Sequence, residues 1–135
     1  MPVTMTAPPS IRDIKGVLTM FYYRDLAAAA DWYETRIGFE RVMDMEGFVL
    51  FRIHESSHLA LVAGGFGSQS PIAGDNKGAL LSIQTEDLEL WHRDLFERDV
   101  EGTGQGLQTG GGGRTIEFKV RDPEGYTLEF FEWIQ

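Results

Sequence analysis

Glu129 stands out among the residues that could do chemistry. It lies in the middle of an otherwise apolar run, Thr127 to Trp133, whose β-branched and aromatic residues predict a strand. In a half-apolar site, desolvation would raise the pKa of this carboxyl and suit it to proton abstraction or to binding a cationic ligand. In the alternative interpretation, Glu129 faces water or pairs with a cation, and three candidates are close in sequence: Arg114, Lys119 and Arg121.

The three histidines are weaker candidates. His54 and His58 are four positions apart, but they flank a predicted turn, so the helical spacing that brings two metal ligands together does not apply. His92 falls in a predicted helix, where we expect an ordinary structural role. His58 is the best candidate of the three because it begins a predicted strand. The chain has no cysteine, which excludes disulfides, thiolate metal sites and cysteine nucleophiles.

A tight turn precedes the strand that carries Glu129. Thr115 to Val120 alternates apolar and polar residues and predicts a strand, and Asp122-Pro-Glu-Gly125 separates it from the next one. The Asp122 side chain can bond to backbone two residues on, proline presets φ, and Gly125 accepts a positive φ. These residues predict a β-hairpin.

The elements before this hairpin form a repeated pattern. Residues 16–26 predict a strand that ends at Asp25, a good N-cap for the alanine-rich helix that follows, with Gly38 as its stop. Three short strands are predicted next, at 39–45, 47–53 and 58–63. Residues 78–88 repeat the pattern of 16–26 without a gap at an offset of 62 positions (78 minus 16), and Asp87 caps a second helix with a stripe of Leu88, Trp91, Leu95 and Phe96.

We therefore predict an α+β fold with an internal duplication. Residues 1–15 form a flexible N-terminal arm, 16–63 a first βαβββ module, 64–77 a glycine- and serine-rich linker and 78–135 a second βαβββ module, all within one domain. The modules stand in tandem.

The chain resembles the vicinal oxygen chelate superfamily, which includes glyoxalase I, bleomycin-resistance proteins and extradiol dioxygenases. The resemblance rests on Asp122-Pro-Glu-Gly125, on Glu129, on Trp32-Tyr33 with Ile37-Gly38-Phe39, and on the paired modules. It implies that the two modules together form a cup-shaped mixed sheet, that the helices cover one side of this sheet, and that ligand binds in the cup on the other side. It also implies that Glu129 matches a frequent metal-ligand position.

The other metal-ligand positions of the family do not carry ligands here. The resemblance places them at Leu18, at Leu80 and at Ala60 or Leu61, and none of these side chains has a lone pair to donate. One carboxylate cannot hold Zn²⁺, Ni²⁺ or Fe²⁺ tightly, since such sites need three or more protein donors. We therefore predict no metal and no other cofactor, with a divalent metal held by Glu129 and His58 as the alternative.

Strand alternation predicts which side chains line the cup. Besides Glu129 as the candidate catalytic group, the expected ligand-binding residues share the same side of their strands: Leu18, Met20, Tyr22, Leu80, Ser82, Gln84, Phe131 and Trp133. The aromatic members could stack on a flat or cationic ligand.

Composition narrows the class of function. The net charge of −9 argues against nucleic acid and anionic membranes as partners, and no apolar run is long enough to span a bilayer. We expect a cytoplasmic protein. The first hypothesis is a homodimeric, metal-independent protein that sequesters a small aromatic or cationic compound. The second is a lyase, isomerase or dioxygenase of the same fold, either metal-dependent or with Glu129 as general base.

Overall fold

The computed structural model describes residues 13–134, which fold into two successive βαβββ modules. The first contains β1 (Val17–Tyr23), α1 (Leu26–Trp32), β2 (Glu40–Met45), β3 (Phe48–His54) and β4 (Ser57–Ala63). The second contains β5 (Leu81–Gln84), α2 (Leu88–Glu97), β6 (Gln108–Gly110), β7 (Thr115–Arg121) and β8 (Thr127–Trp133). A π-helical turn, Tyr33–Ile37, extends α1, and a 3-10 turn, Thr103–Gln105, follows α2. Most of the predicted N-terminal arm, residues 1–12, lies outside the described residues.

The two modules have the same sheet topology. The strand orders are β1-β4-β3-β2 and β5-β8-β7-β6, and in each the first strand runs parallel to the last while the other pairs are antiparallel. Leu26 and Leu88 begin the two helices at the offset seen in the sequence. This confirms the predicted pair of βαβββ modules. The sheet is divided into two four-stranded halves, with β1 and β5 as edge strands.

Each sheet has a helix face and an open face. On the helix face, Phe21 and Tyr23 of β1 and Leu128 and Phe130 of β8 are at most 3% exposed and join one core shared by both modules. Burial of large apolar side chains of this kind contributes about 1.5–3 kcal/mol each. On the opposite side, which we call the open face, Met20 is 47% exposed. Alternation along the strands therefore separates the core from a broad solvent-facing surface.

The turn between β7 and β8 joins the modules through Asp122. Its Oδ2 accepts hydrogen bonds from the hydroxyls of Tyr33, at 2.8 Å, and Tyr23, while Oδ1 accepts from the backbone N–H groups of Glu124 and Tyr126, both at 2.9 Å. Burial raises the pKa of Asp122, and the four hydrogen bonds oppose that shift. Burial also raises the pKa of both tyrosines well above the ordinary value. Asp122 thus acts as a buried contact between modules in addition to its role in the turn.

Tyr126 completes the same contact. Its ring stacks on Phe21 with centroids 4.1 Å apart and planes 13° apart. Its hydroxyl accepts from the N–H of Tyr22, at 3.0 Å, and donates to the C=O of Tyr22, at 3.1 Å. We call this meeting of the β7–β8 turn with the end of β1 the first junction. At this junction a side chain of the second module satisfies the backbone N–H and C=O of Tyr22 at the edge of β1.

The helix ends agree in part with the sequence prediction. Asp25 caps α1, because its Oδ1 accepts from the N–H of Ala28 at 3.1 Å, and Gly38 ends the π-helical turn with φ +91°. Asp87 precedes α2 but makes no side-chain capping bond. Phe96 does not belong to the buried stripe of α2, since it is 57% exposed. None of the helices between residues 13 and 134 is both long and apolar enough to cross a membrane.

Candidate functional site

Glu129 lies at the centre of a polar row on the open face of the second sheet. Strand register places it between Ser82 of β5 and Lys119 of β7. The Ser82 hydroxyl donates to Glu129 Oε1 at 2.6 Å, and Lys119 Nζ lies 3.3 Å from Oε2. Of the three cations close in sequence, Lys119 is thus a partner on the neighbouring strand. The predicted projection into the open face and the predicted ion pair occur together.

Glu117 extends this row and was missed by sequence reasoning. It is only 8% exposed, accepts from the Thr115 hydroxyl at 2.8 Å, and pairs with Lys119. A Cβ at Gly110 would collide with the Glu117 carboxylate, so the adjacent strand leaves it room only because glycine stands there. The available signal was the glycine at position 110 together with a second acid two residues before Lys119.

One ammonium therefore serves two carboxylates. The hydrogen bond from Lys119 lowers the pKa of Glu117, and the bond to Glu117, followed by that to Glu129, raises the pKa of Lys119. With both acids ionised and Lys119 protonated, these three side chains carry a net charge of −1. This surplus makes the row better suited to a cation than to an anion.

Aromatic side chains continue the open face beside the row. Phe131 lies opposite Glu117 in register, and the Trp133 ring meets it edge to face with centroids 5.3 Å apart. Trp133 is 54% exposed. A half-exposed aromatic pair next to surplus negative charge can stack on a flat ligand and attract its cationic group.

The open face of the first sheet is apolar. Leu18 and Met20 lie there on β1, and the exposed Met43 and Met45 lie on β2. Tyr22 has the same strand parity but is buried, and its hydroxyl accepts from the backbone N–H of Ser68 in the linker at 3.3 Å. Its ring is therefore covered by the linker. Leu80 precedes β5 by one residue and is exposed, while Ser82 and Gln84 lie on β5 itself.

The register identifies the residue of the first module that is equivalent to Glu129. Met20 pairs with Ala60 in the first sheet. Ser82, the equivalent of Met20 in the second module, pairs with Glu129. Ala60 is therefore the structural equivalent of Glu129, and Leu61 points to the helix face. Within the part of the chain that the structure describes, no group of three or more His, Cys, Asp or Glu could hold a metal ion. The residues present do not fit a divalent metal.

The histidines lie apart from the Glu129 row. His92 Nε2 is 2.8 Å from the carbonyl oxygen of Thr103, and its ring meets Phe118 edge-on, so its role is structural. His54 ends β3 and His58 lies near the start of β4. Both line a cavity of about 590 Å³ between the two modules, together with Ser82 and Gln84. No pattern in the sequence indicated this cavity.

Comparison with known proteins identifies relatives of the whole fold. The family model described as the Glyoxalase/Bleomycin resistance protein/Dioxygenase superfamily matches residues 17–130. No curated protein sequence matches the chain significantly.

Similar solved structures share the fold at low identity. A lactoylglutathione lyase from Agrobacterium tumefaciens is 18% identical, with TM-score 0.69 over 90% of this chain and 96% of that one. A glyoxalase/bleomycin resistance protein from Catenulispora acidiphila is 22% identical, with TM-score 0.67 over 88% and 98%. TioX from a Micromonospora species is 18% identical, with TM-score 0.71 over 88% and 98%.

Proposed function

The chain belongs to the glyoxalase/bleomycin resistance protein/dioxygenase superfamily, and from that premise we propose that it is a metal-independent binding protein. It sequesters a small aromatic or cationic compound on the open faces of its sheets. The ligand contacts Glu129 and the apolar side chains around it, and no bond of the ligand is changed.

One observation carries this proposal, namely the chemistry of the four family ligand positions. Three of them hold Leu18, Ala60 and Leu80, and the fourth holds Glu129. The exposed side chains of Leu18 and Leu80 offer apolar area to a ligand, worth about 25 cal/mol per Å² buried, where a chelating site would need oxygen or nitrogen donors. Such a surface favours capture of an apolar compound over activation of bound substrate oxygens.

The charge of the row favours a cationic ligand. Glu117 and Glu129 outnumber Lys119, and the chain as a whole carries a net charge of −9. Phe131 and Trp133 adjoin the row and supply ring faces. A cation over such a ring gains about 1 kcal/mol where water is excluded.

We further propose that the binding form is a cytoplasmic C2 homodimer. Both open faces expose apolar side chains that a second copy would cover: Leu18, Met20, Met43, Met45 and Trp133. Large apolar side chains exposed in this number are typical of interaction sites. Size-exclusion chromatography with light scattering tests this directly, and a monomer at micromolar concentrations contradicts it.

The central experiment replaces Glu129 by Gln. We expect Glu129→Gln to weaken binding of a cationic aromatic probe such as bleomycin about tenfold in isothermal titration, because a charge-assisted contact is lost. Glu132→Gln is the matched control, since Glu132 lies on the same strand with the opposite parity. Equal effects of the two substitutions would contradict the proposal. Elemental analysis of the purified protein should show no stoichiometric transition metal.

A second candidate function is a lyase or isomerase in which Glu129 is a general base. The supporting observation is the Ser82 hydroxyl 2.6 Å from the carboxylate, which offers a hydrogen-bond donor beside the base. In that case Glu129→Gln abolishes turnover of a substrate while binding persists. A binding protein shows the opposite result, weaker binding with no turnover to lose.

A further inference from the structure

The internal repeat relates the first junction to a second one at the other side of the molecule. There the β3–β4 turn and the end of β5 line one cavity, whereas the β7–β8 turn contacts the end of β1 directly. The register makes Ser57 the equivalent of Tyr126. The repeat offset makes Ile83 and Gln84 the equivalents of Phe21 and Tyr22.

The two junctions differ in how they are filled. At the first, the Tyr126 ring stacks on Phe21 and is 7% exposed. At the second, serine replaces the tyrosine, and the cavity of about 590 Å³ lies there. Its lining includes residues of three strands: Ile53 and His54 of β3, Ser57 and His58 of β4, and Ile83 and Gln84 of β5. The room that an aromatic side chain takes in one module is open in the other.

The backbone of Gln84 offers this cavity a donor and an acceptor. The N–H of Thr85 donates to the C=O of Phe131 at 2.9 Å, so this N–H points toward β8. Since successive residues of a strand direct their backbone N–H and C=O groups to opposite edges, the N–H and C=O of Gln84 point to the free edge of β5. At the first junction, the corresponding N–H and C=O of Tyr22 are both bonded to one phenolic hydroxyl, that of Tyr126.

We propose that the second junction is a binding site for a small phenol. The ligand ring lies against Ile83, and its hydroxyl accepts from the N–H of Gln84 and donates to the C=O of Gln84. These contacts repeat those that Tyr126 makes in the other module. His54 and His58 line the same cavity and offer imidazole nitrogens to a polar substituent on the ring. The site does not include Glu129, so this proposal stands apart from the proposed function, although Ser82 lies between the two places.

The first test compares two probes on the unmodified protein. p-Cresol and toluene differ only in the hydroxyl, and each is titrated while amide shifts are followed by ¹⁵N–¹H NMR. We expect p-cresol to bind about tenfold more tightly, because two hydrogen bonds are added. The Gln84 amide should shift downfield with p-cresol and little with toluene. Equal affinities, or a Gln84 amide that responds alike to both probes, would overturn the proposal.

The second test fills the cavity from within. Ser57→Tyr should restore the arrangement of the first junction, abolish p-cresol binding and raise the melting temperature by a few degrees. Glu55→Tyr is the control, since it adds the same ring at an exposed position of the turn and should leave binding unchanged. A folded Ser57→Tyr protein that still binds p-cresol with full affinity contradicts the site. If that variant does not fold, the probe comparison on the unmodified protein decides alone.

Glu129→Gln separates this proposal from the previous one. This substitution should weaken binding of the cationic probe and leave the affinity for p-cresol within about twofold of that of the unmodified protein. Loss of p-cresol binding in Glu129→Gln would place the phenol on the open face and overturn the assignment to the second junction.

Discussion

The two modules share strand order, strand register and helix position, yet they carry different chemistry. The first presents an apolar open face with Leu18 and Met20, whereas the second presents an ion-paired row of Glu117, Lys119 and Glu129. The fold depends on the helix faces, where both modules bury large apolar side chains in one core. The side chains on the open faces do not have to pack in that core, so the two modules can carry different surfaces on the same fold.

The junctions show the same divergence on a smaller scale. Tyr126 and Asp122 fill one junction, and their equivalents Ser57 and Ile53 leave the other with a cavity. One bulky side chain and one buried carboxylate thus decide whether a junction is a structural contact or a potential site. Substitutions at matched positions of the two modules test this interpretation.

The largest expected effect is at the first junction. Asp122→Ala leaves two tyrosine hydroxyls and two backbone N–H groups without their acceptor, which we expect to cost about 3–5 kcal/mol in the free energy of unfolding. Ile53→Ala, at the equivalent position, removes no hydrogen bond from a half-buried site and should cost about 1–2 kcal/mol. Urea denaturation measures both. Equal losses would show that the junctions do not differ energetically.

The helix caps give an intermediate effect. Asp25→Ala removes the bond from the N–H of Ala28 and should cost about 1 kcal/mol. Asp87→Ala, at the equivalent position of the second module, removes no side-chain capping bond and should change the free energy of unfolding by less than about 0.5 kcal/mol. Thermal denaturation of the two variants checks the difference, and a larger loss for Asp87→Ala would contradict it.

The smallest effect is the pH response of the row. Because Lys119 lowers the pKa of Glu117, this carboxylate stabilises the folded chain fully above its ordinary pKa of 4.5, and that contribution is lost as the pH falls through the lowered value. Asp122 acts with the opposite sign, since its raised pKa makes stability fall as the pH rises through the window above 3.8. Because Lys119 is about half exposed, its ion pair with Glu117 is screened by solvent. We therefore expect Glu117→Gln to reduce the loss of unfolding free energy at acid pH by only about 0.5 kcal/mol.

That difference is measured as urea stability of both proteins between pH 5 and pH 3, at low and high salt. The parent protein should lose more stability than Glu117→Gln over this range at low salt, and the gap should narrow at high salt. Parallel curves at low salt would show that the ion pair does not contribute.

Much of the fold was predictable from the sequence because local signals and the repeat agree. The strand Thr127–Trp133, the turn at Asp122 and the cap at Asp25 each have a local cause. The predicted second βαβββ module implied a strand before β7, but the position of this strand, β6 (Gln108–Gly110), was not located, since a glycine-interrupted segment carries no alternation and forms a strand only by pairing with β7.

The candidate site was harder to predict from the sequence than the fold, and the reason is physical. Strand parity correctly put Glu129 and Phe131 on one face. Parity could not decide which of three nearby cations pairs with the Glu129 carboxylate, and only the strand register shows that Lys119 does. Parity alone also could not show that the linker covers Tyr22. The cavity exists because Ser57 lacks the aromatic ring that Tyr126 carries at the equivalent position. This difference is visible only when the two modules are aligned through their strand register.

The hydroxyls of Tyr23 and Tyr33 have a consequence for biosynthesis. Their acceptor, Asp122, is separated from Tyr33 by 89 positions in the chain. During translation, the first module emerges from the ribosome long before its buried tyrosines can be satisfied, so its core stays loosely organised until the second module has been made. The order of synthesis therefore delays final consolidation of the earlier half until the later half has been made.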